Sequence, residues 1–157
     1  MSFGHFAPRG DLPDADLRSA SAIDADDVAA LLSEMGYPCS QAEARERIRV
    51  IVDNDRQALV LARSAGRVCG LVALDFMYYL PLGSTTCRIT ALVVTSDAQG
   101  NGLGRQLLKE AERRARFAGA ARLELASGSQ RADAHAFYKA CGFSDGTLRF
   151  IKRLGEA

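Results

Sequence analysis

Val93-Val94-Thr95-Ser96-Asp97-Ala98-Gln99-Gly100-Asn101-Gly102-Leu103-Gly104-Arg105 is the stretch whose reading decides the fold. It reads as a strand that feeds a glycine-rich turn, which in turn opens the longest helix of the chain. From Gly102 onward Leu103, Leu107, Leu108 and Ala111 fall on one helical face, with Arg105, Lys109, Glu112 and Arg113 outside. Such a turn suits anion capture. Glycines let the backbone approach a phosphate with no Cβ in the way, while the free N–H groups and the positive dipole end of the helix favour a pyrophosphate. Gly104 supports this, since glycine in a first helical turn costs ~1 kcal/mol relative to alanine and needs a reason to be there. The alternative is a solvent turn of helix-breaking residues. Two other phosphate motifs fail on spacing. A P-loop needs Gly-Lys-Ser/Thr where this chain has Gly104-Arg105-Gln106, and neither Gly100 nor Gly102 starts a Gly-x-Gly-x-x-Gly.

Outward from the turn, periodicity and caps predict the remaining elements. Leu17 to Ala22 reads as a short strand, and Asp24 as the N-cap of a helix that runs to Met35 and stops at Gly36. Ser40-Gln41-Ala42-Glu43 has the capping-box pattern of a second helix, with Ile48, Ile51 and Val52 turned inward. Ala58 to Ala62 and Val68 to Tyr78 form a predicted hairpin about Ala65-Gly66-Arg67, and a third strand covers Thr85 to Val94. After the long helix, which Gly119 ends, come a strand at Leu123 to Ala126, a short helix at Asp133 to Ala140 and a last strand at Leu148 to Leu154. The order β, α, α, three strands, α, β, α, β predicts a single α/β domain over residues 16–157, its sheet packed by helices. Met1 to Ala15, with Gly4, Pro8, Gly10 and Pro13, reads as a mobile or loosely packed arm.

Composition narrows the function. The chain has 157 residues, 48% of them hydrophobic, enough for one sizeable core. Twenty basic against 19 acidic residues leave a net charge of +1, which argues against a general nucleic-acid or membrane surface. No stretch approaches the ~20 apolar residues that cross a bilayer, and no leader directs the chain out of the cytoplasm, so a soluble cytoplasmic protein is expected. Cys39, Cys69, Cys87 and Cys141 lie far apart with no zinc spacing; reduced, buried thiols and no metal are the expectation.

Gln99-Gly100-Asn101-Gly102-Leu103-Gly104 resembles, at every fixed position, the Gln/Arg-x-x-Gly-x-Gly/Ala signature of the GNAT superfamily of N-acetyltransferases. The resemblance extends from about Leu17 to Leu154, through Ile89-Thr90-Ala91-Leu92-Val93-Val94 and the late Ala134-His135-Ala136-Phe137-Tyr138-Lys139-Ala140-Cys141-Gly142-Phe143. Within the superfamily, Arg131 to Tyr138 and the closing Arg149-Phe150-Ile151-Lys152 look like the aminoalkylphosphonate N-acetyltransferases.

The resemblance implies a mixed, mostly antiparallel central sheet flanked by helices, with acetyl-CoA between diverging strands that end near Val94 and begin near Leu123. Leu92, Val93 and Val94 would then carry the pantetheine arm, and Gln99, Gly100, Asn101, Gly102, Leu103, Gly104 and Arg105 the diphosphate. Gln99 stands where Arg is frequent, which removes a direct charge that Arg105 can replace. Tyr138 matches the tyrosine placed near the sulfur as general acid, and His135, one turn earlier, is a proton carrier, a cofactor contact or a plain helix residue. The stretch that bears a carboxylate base in many relatives has Arg88, Thr90 and Ala91 instead. Proton removal is therefore expected through water, oriented by Thr90, with Asp75, Glu34 or Glu124 as distant acceptors.

Met35, Tyr37, Asp75, Tyr78 and Tyr79 are the candidate walls of the acceptor pocket, against a plain reading as packing residues. Arg88, Arg131 or Arg149 would hold a phosphonate or carboxylate. The expected reaction is direct transfer in a ternary complex to a primary amine of a small molecule, in a chain expected to be a homodimer. The alternatives are a protein N-terminal or lysine acetyltransferase and a non-catalytic acetyl-CoA sensor.

Overall fold

A computed structural model of the chain describes residues 15–126, 132–146 and 149–155. Its elements are β1 (Asp16–Ser19), α1 (Ala25–Glu34), α2 (Gln41–Val52), β2 (Gln57–Ser64), β3 (Arg67–Tyr79), β4 (Ser84–Val94), α3 (Leu103–Phe117), β5 (Arg122–Leu125) and α4 (Ala132–Ala140). The strands form one sheet in the order β1-β2-β3-β4-β5. The first four are mutually antiparallel, and β5 joins β4 in parallel. This is the expected mixed, mostly antiparallel sheet with helices on both faces.

Strand alternation divides the apolar side chains between the two faces. Val60, Val72, Leu74, Cys87, Ile89 and Val94 meet Leu103, Leu107, Leu108 and Ala111 of α3 and Phe137 of α4. Leu59, Leu61, Leu71 and Ala73 meet Val28 and Leu31 of α1 and Ala44 and Ile48 of α2. Leu107 is fully buried, so truncating it to alanine should cost about 2–5 kcal/mol. Gly70 lets α3 sit this close to the sheet. A Cβ there would lie 3.0 Å from the Val93 carbonyl oxygen and 3.1 Å from Leu107 Cδ1.

One local expectation is refined and two are corrected. Asp24 does hold the N-cap position of α1, but its side chain makes no capping bond, and a 3-10 turn over Ala22–Asp24 precedes the helix. Its carboxylate is 1% exposed, accepts from the Ser21 N–H at 2.9 Å, and pairs with Arg18 at 3.2 Å and Arg63 at 3.1 Å. It thereby joins β1, β2 and the start of α1. Val52 is 60% exposed rather than turned inward, because it lies at the last position of α2, beyond the turn that packs on the sheet. The strand expected over 148–154 is not formed across 149–155, where Phe150, Ile151 and Leu154 are exposed. An apolar run forms a strand only beside an open edge in register, and no strand among the described residues pairs with it. The arm expected over 1–15 lies outside the described residues except for Ala15, whose N–H donates to Gln106 Oε1 of α3 at 2.9 Å. No described helix is long and apolar enough to cross a membrane.

Candidate active site

Strand β4 has two unlike halves. From Thr86 to Ile89 it is paired on both sides, to β3 and to β5. The register with β3 then skips Thr90, since Ala73 pairs with Ala91 and Leu74 with Ile89. Thr90 is thus the extra residue of a β-bulge, the kind of irregularity that bends a strand and re-aims a side chain. Beyond it β5 has ended, and β4 runs on to Val94 with one edge open, no strand among the described residues pairing there. The N–H of Thr95 donates to the Cys69 carbonyl at 2.7 Å. Alternation from that bond turns the backbone of Val93 toward β3 and the backbones of Leu92 and Val94 toward the open edge. A chain bearing amide groups can pair there as a further strand would.

The open edge leads straight into the glycine turn. Gly100 and Gly102 take positive φ (86° and 79°), and a Cβ on either would project into open space. Gly102 is the N-cap of α3 and has no side chain to offer. The helical ladder begins with Gln106 N–H donating to the Gly102 carbonyl at 3.0 Å, so the N–H groups of Leu103, Gly104 and Arg105 precede it. No acid stands in this first turn. Gln99 folds back, its side-chain amide donating to the Val94 carbonyl at 3.3 Å, while Asn101 is exposed. The Arg105 guanidinium lies 5.9 Å from the Phe137 ring centroid, which ties the turn to α4. The residues present fit a diphosphate: backbone N–H groups ahead of the helical ladder, a positive dipole end, the Arg105 cation and open space over two glycines.

At the bulge two cavities meet, for Thr90 lines both. One, of about 440 Å³, is charged and is bounded by Asp75, Arg88, Ala126, Arg149 and Phe150. Asp75, Arg88 and Glu124 are register partners across β3, β4 and β5, so they stand in a row on one face. Arg88 donates to Glu124 at 2.6 Å, and Glu124 also meets Arg122 at 3.1 Å. The other cavity, of about 410 Å³, lies between the sheet and the pair α1 and α2, and is walled by Met35, Tyr37, Ile48, Leu71, Ala73 and Ala91. Expected acceptor-site residues are therefore split between two spaces. Tyr37 and Met35 reach the apolar one, Asp75 and Arg88 the charged one, and Tyr78, 59% exposed, lines neither. Glu34 lies elsewhere, accepting from Ser96 Oγ at 3.1 Å. Arg131 is outside the described residues.

Tyr138 and His135 stand on α4, Tyr138 half-buried and His135 exposed. The Tyr138 ring meets Phe143 edge-on at 6.1 Å and Phe137 at 5.6 Å between centroids. These contacts fix its ring. Cys141, close by in sequence, is half-buried, and burial raises its thiol pKa against the opposing pull of Arg105 and Lys109. A thiol so shifted stays protonated at neutral pH and makes a poor nucleophile. Cys69 and Cys87 are buried, Cys39 and Cys141 only partly so, and all four are free. Burial, with the Asp75 charge adding to it, pushes Cys87 up to about 11. Among the described residues no cluster of His, Cys, Asp and Glu would hold a metal.

The sequence profile of the Acetyltransferase (GNAT) family matches residues 25–143, from the start of α1 through Phe143. The chain belongs to this family. As a GNAT N-acetyltransferase it shares the family's use of an acyl-CoA. It is 33% identical over 144 residues, 91% of this chain and 94% of the relative, to an aminoalkylphosphonate N-acetyltransferase of Salmonella typhimurium strain LT2. A GNAT family acetyltransferase of Staphylococcus aureus superposes with a TM-score of 0.77 at 22% identity, covering 90% of this chain and 100% of that one. An aminoglycoside N-acetyltransferase solved in complex with CoA superposes with a TM-score of 0.79 at 16% identity, over 95% and 99% of the two chains. At such identities the two structures speak for the shared fold alone.

The bulge at Thr90 and the facing alanines Ala73 and Ala91 were not read from the sequence. No local signal marks them, because Ile89-Thr90-Ala91 alternates as any strand does.

Proposed function

We propose that this GNAT transferase moves the acetyl group of acetyl-CoA directly to the primary amine of a small molecule that carries an acid, such as an aminoalkylphosphonate. The observation that supports this reading is continuity along β4: the charged cavity reaches the bulge at Thr90, the edge left by β5 runs on from there to Val94, and the glycine turn that opens α3 follows. Leu92 and Val94 offer backbone groups to the pantetheine amides. Gly100 to Arg105 surround the diphosphate, with Gln99 and Asn101 at the rim and His135 contacting the donor from α4. The thioester then ends beside Thr90, at the mouth of the charged cavity.

In that cavity Arg149 and Arg88 face the acid of the acceptor, as guanidinium groups suit phosphonate oxygens. Arg88 is already held by Glu124, so Arg149 carries more of the contact. Asp75 attracts the ammonium, and Thr90 orients a water that takes its proton. The neutral amine attacks the carbonyl carbon, a carbon–nitrogen bond forms, the carbon–sulfur bond breaks, and Tyr138 protonates the departing thiolate. No carboxylate stands on β4 to act as base, so the rate should rise with pH toward the pKa of the amine. A homodimer suits this reading too, since Phe150, Ile151 and Leu154 lie more than four-fifths exposed and a second copy would cover them.

The test is thiol release from acetyl-CoA against a panel of amines with and without an acid group. Acid-bearing amines should be acetylated with much the higher kcat/KM. CoA binding without thiol release on any amine would make the protein a sensor, and turnover on peptide N-termini alone would move it to protein acetylation.

A further inference from the structure

The apolar cavity has no task in the reaction described above, yet it opens at the reacting centre. Alternation places Asp75 and Arg88 on the same sheet face as Leu71, Ala73 and Ala91, so the charged and apolar cavities are adjacent parts of one groove that meet at Thr90. The floor of the apolar part is Ala73 beside its register partner Ala91. Two methyl groups there leave a space that larger residues would fill, roofed by Leu32, Ile48 and Ile51. Arg47, its charged lining residue, is exposed and paired with Glu43 at 3.6 Å. This part of the groove offers contact to hydrocarbon and little to an ion.

We infer that the acceptor carries an apolar side chain next to its amine, which lies in this cavity over Ala73 and Ala91 while its acid lies in the charged part. The preferred acceptor class is then an amino acid analogue whose acid and hydrocarbon arms diverge from the carbon that bears the nitrogen. That inference rests on the acid-bearing amine proposed above. Each methylene it buries should improve kcat/KM by about fourfold. Ala73 and Ala91 would set the size limit, acting on specificity and not on the proton transfers.

The experiment measures kcat/KM for 1-aminoalkylphosphonates with methyl, propyl and benzyl side chains, on the wild type and on Ala91→Leu, with acetyl-CoA at saturation. The wild type should favour propyl over methyl by about fifteenfold, the product of two methylenes, a ratio that needs no variant. In Ala91→Leu the ratio should fall to about one or invert. A flat wild-type series with all three amines acetylated would overturn this inference and leave the acid-bearing acceptor standing. Rejection of all three would overturn both. A preference unchanged in a folded Ala91→Leu would place the side chain elsewhere and overturn the assignment. So would a gain that follows the acyl chain, with butyryl-CoA surpassing acetyl-CoA at a fixed amine, since the cavity would then belong to the donor.

Discussion

Helices α2 and α3 begin in opposite ways. At the start of α2, Ser40 Oγ accepts from the Glu43 N–H at 3.1 Å and Glu43 Oε1 accepts from the Ser40 N–H at 3.3 Å, and an acid stands in the first turn. Two of the orphan donors, those of Ser40 and Glu43, are satisfied from within, as suits a helix that serves packing. At the start of α3 a glycine holds the cap position at positive φ, no side chain caps the turn, and Arg105 replaces the acid. That helix still forms, because Leu103, Leu107, Leu108 and Ala111 bury against the sheet. Tertiary packing stabilises α3 without a side-chain cap, which leaves its N-terminus able to take the proposed diphosphate.

The contrast can be broken by variants at either helix. The largest effect is expected of Gly102→Val, which forces a branched residue into the left-handed region and places a side chain where the proposed diphosphate would lie. Loss of two charge-assisted hydrogen bonds, at about 2 kcal/mol each, would weaken CoA binding by ~10²–10³-fold. The backbone strain should cost only about 1–2 kcal/mol of stability. Calorimetry and thermal melting on one preparation separate the two, and a folded variant with wild-type affinity would remove the site. Next in size, Tyr138→Phe takes away a single hydroxyl on α4. Turnover should fall about 10²-fold, the low end for a general acid, with CoA affinity unchanged; wild-type turnover would leave Tyr138 a packing residue.

Smaller effects sharpen the other side of the comparison. Ser40→Ala should cost about 1 kcal/mol of stability, seen as a lower denaturation midpoint, and leave CoA affinity at its wild-type value. A loss of affinity there would show that the capped helix also serves the donor. Smallest of all, Cys141→Ser should change turnover by less than about twofold, because a thiol raised by burial is protonated at neutral pH. Abolished turnover with intact folding would reopen an acyl-enzyme route.

Much of this was legible because it is local. The Ser40 box, the glycine turn and the α3 stripe are written within a few residues of the structures they make. Other features depend on distant partners. Asp24 reads as a cap by its neighbours, but Arg63, which lies 39 residues further on, makes it the centre of a buried ion pair. Thr90 reads as an ordinary strand residue until the register with β3 exposes the bulge. Phe150 and Ile151 are apolar like strand residues, but strands need an edge in register, and sequence does not announce whether one is free.

The central claim is that the start of α3 and the open edge of β4 are one binding surface, and that the start of α2 is not. Amide chemical shifts of the labelled protein, followed while CoA is added, test it most directly. Leu92, Val94 and the run from Gly100 to Arg105 should shift strongly, with the resonances of Gln41 to Ala44 unmoved. Saturable binding that leaves the Gly100 to Arg105 amides in place would contradict the account.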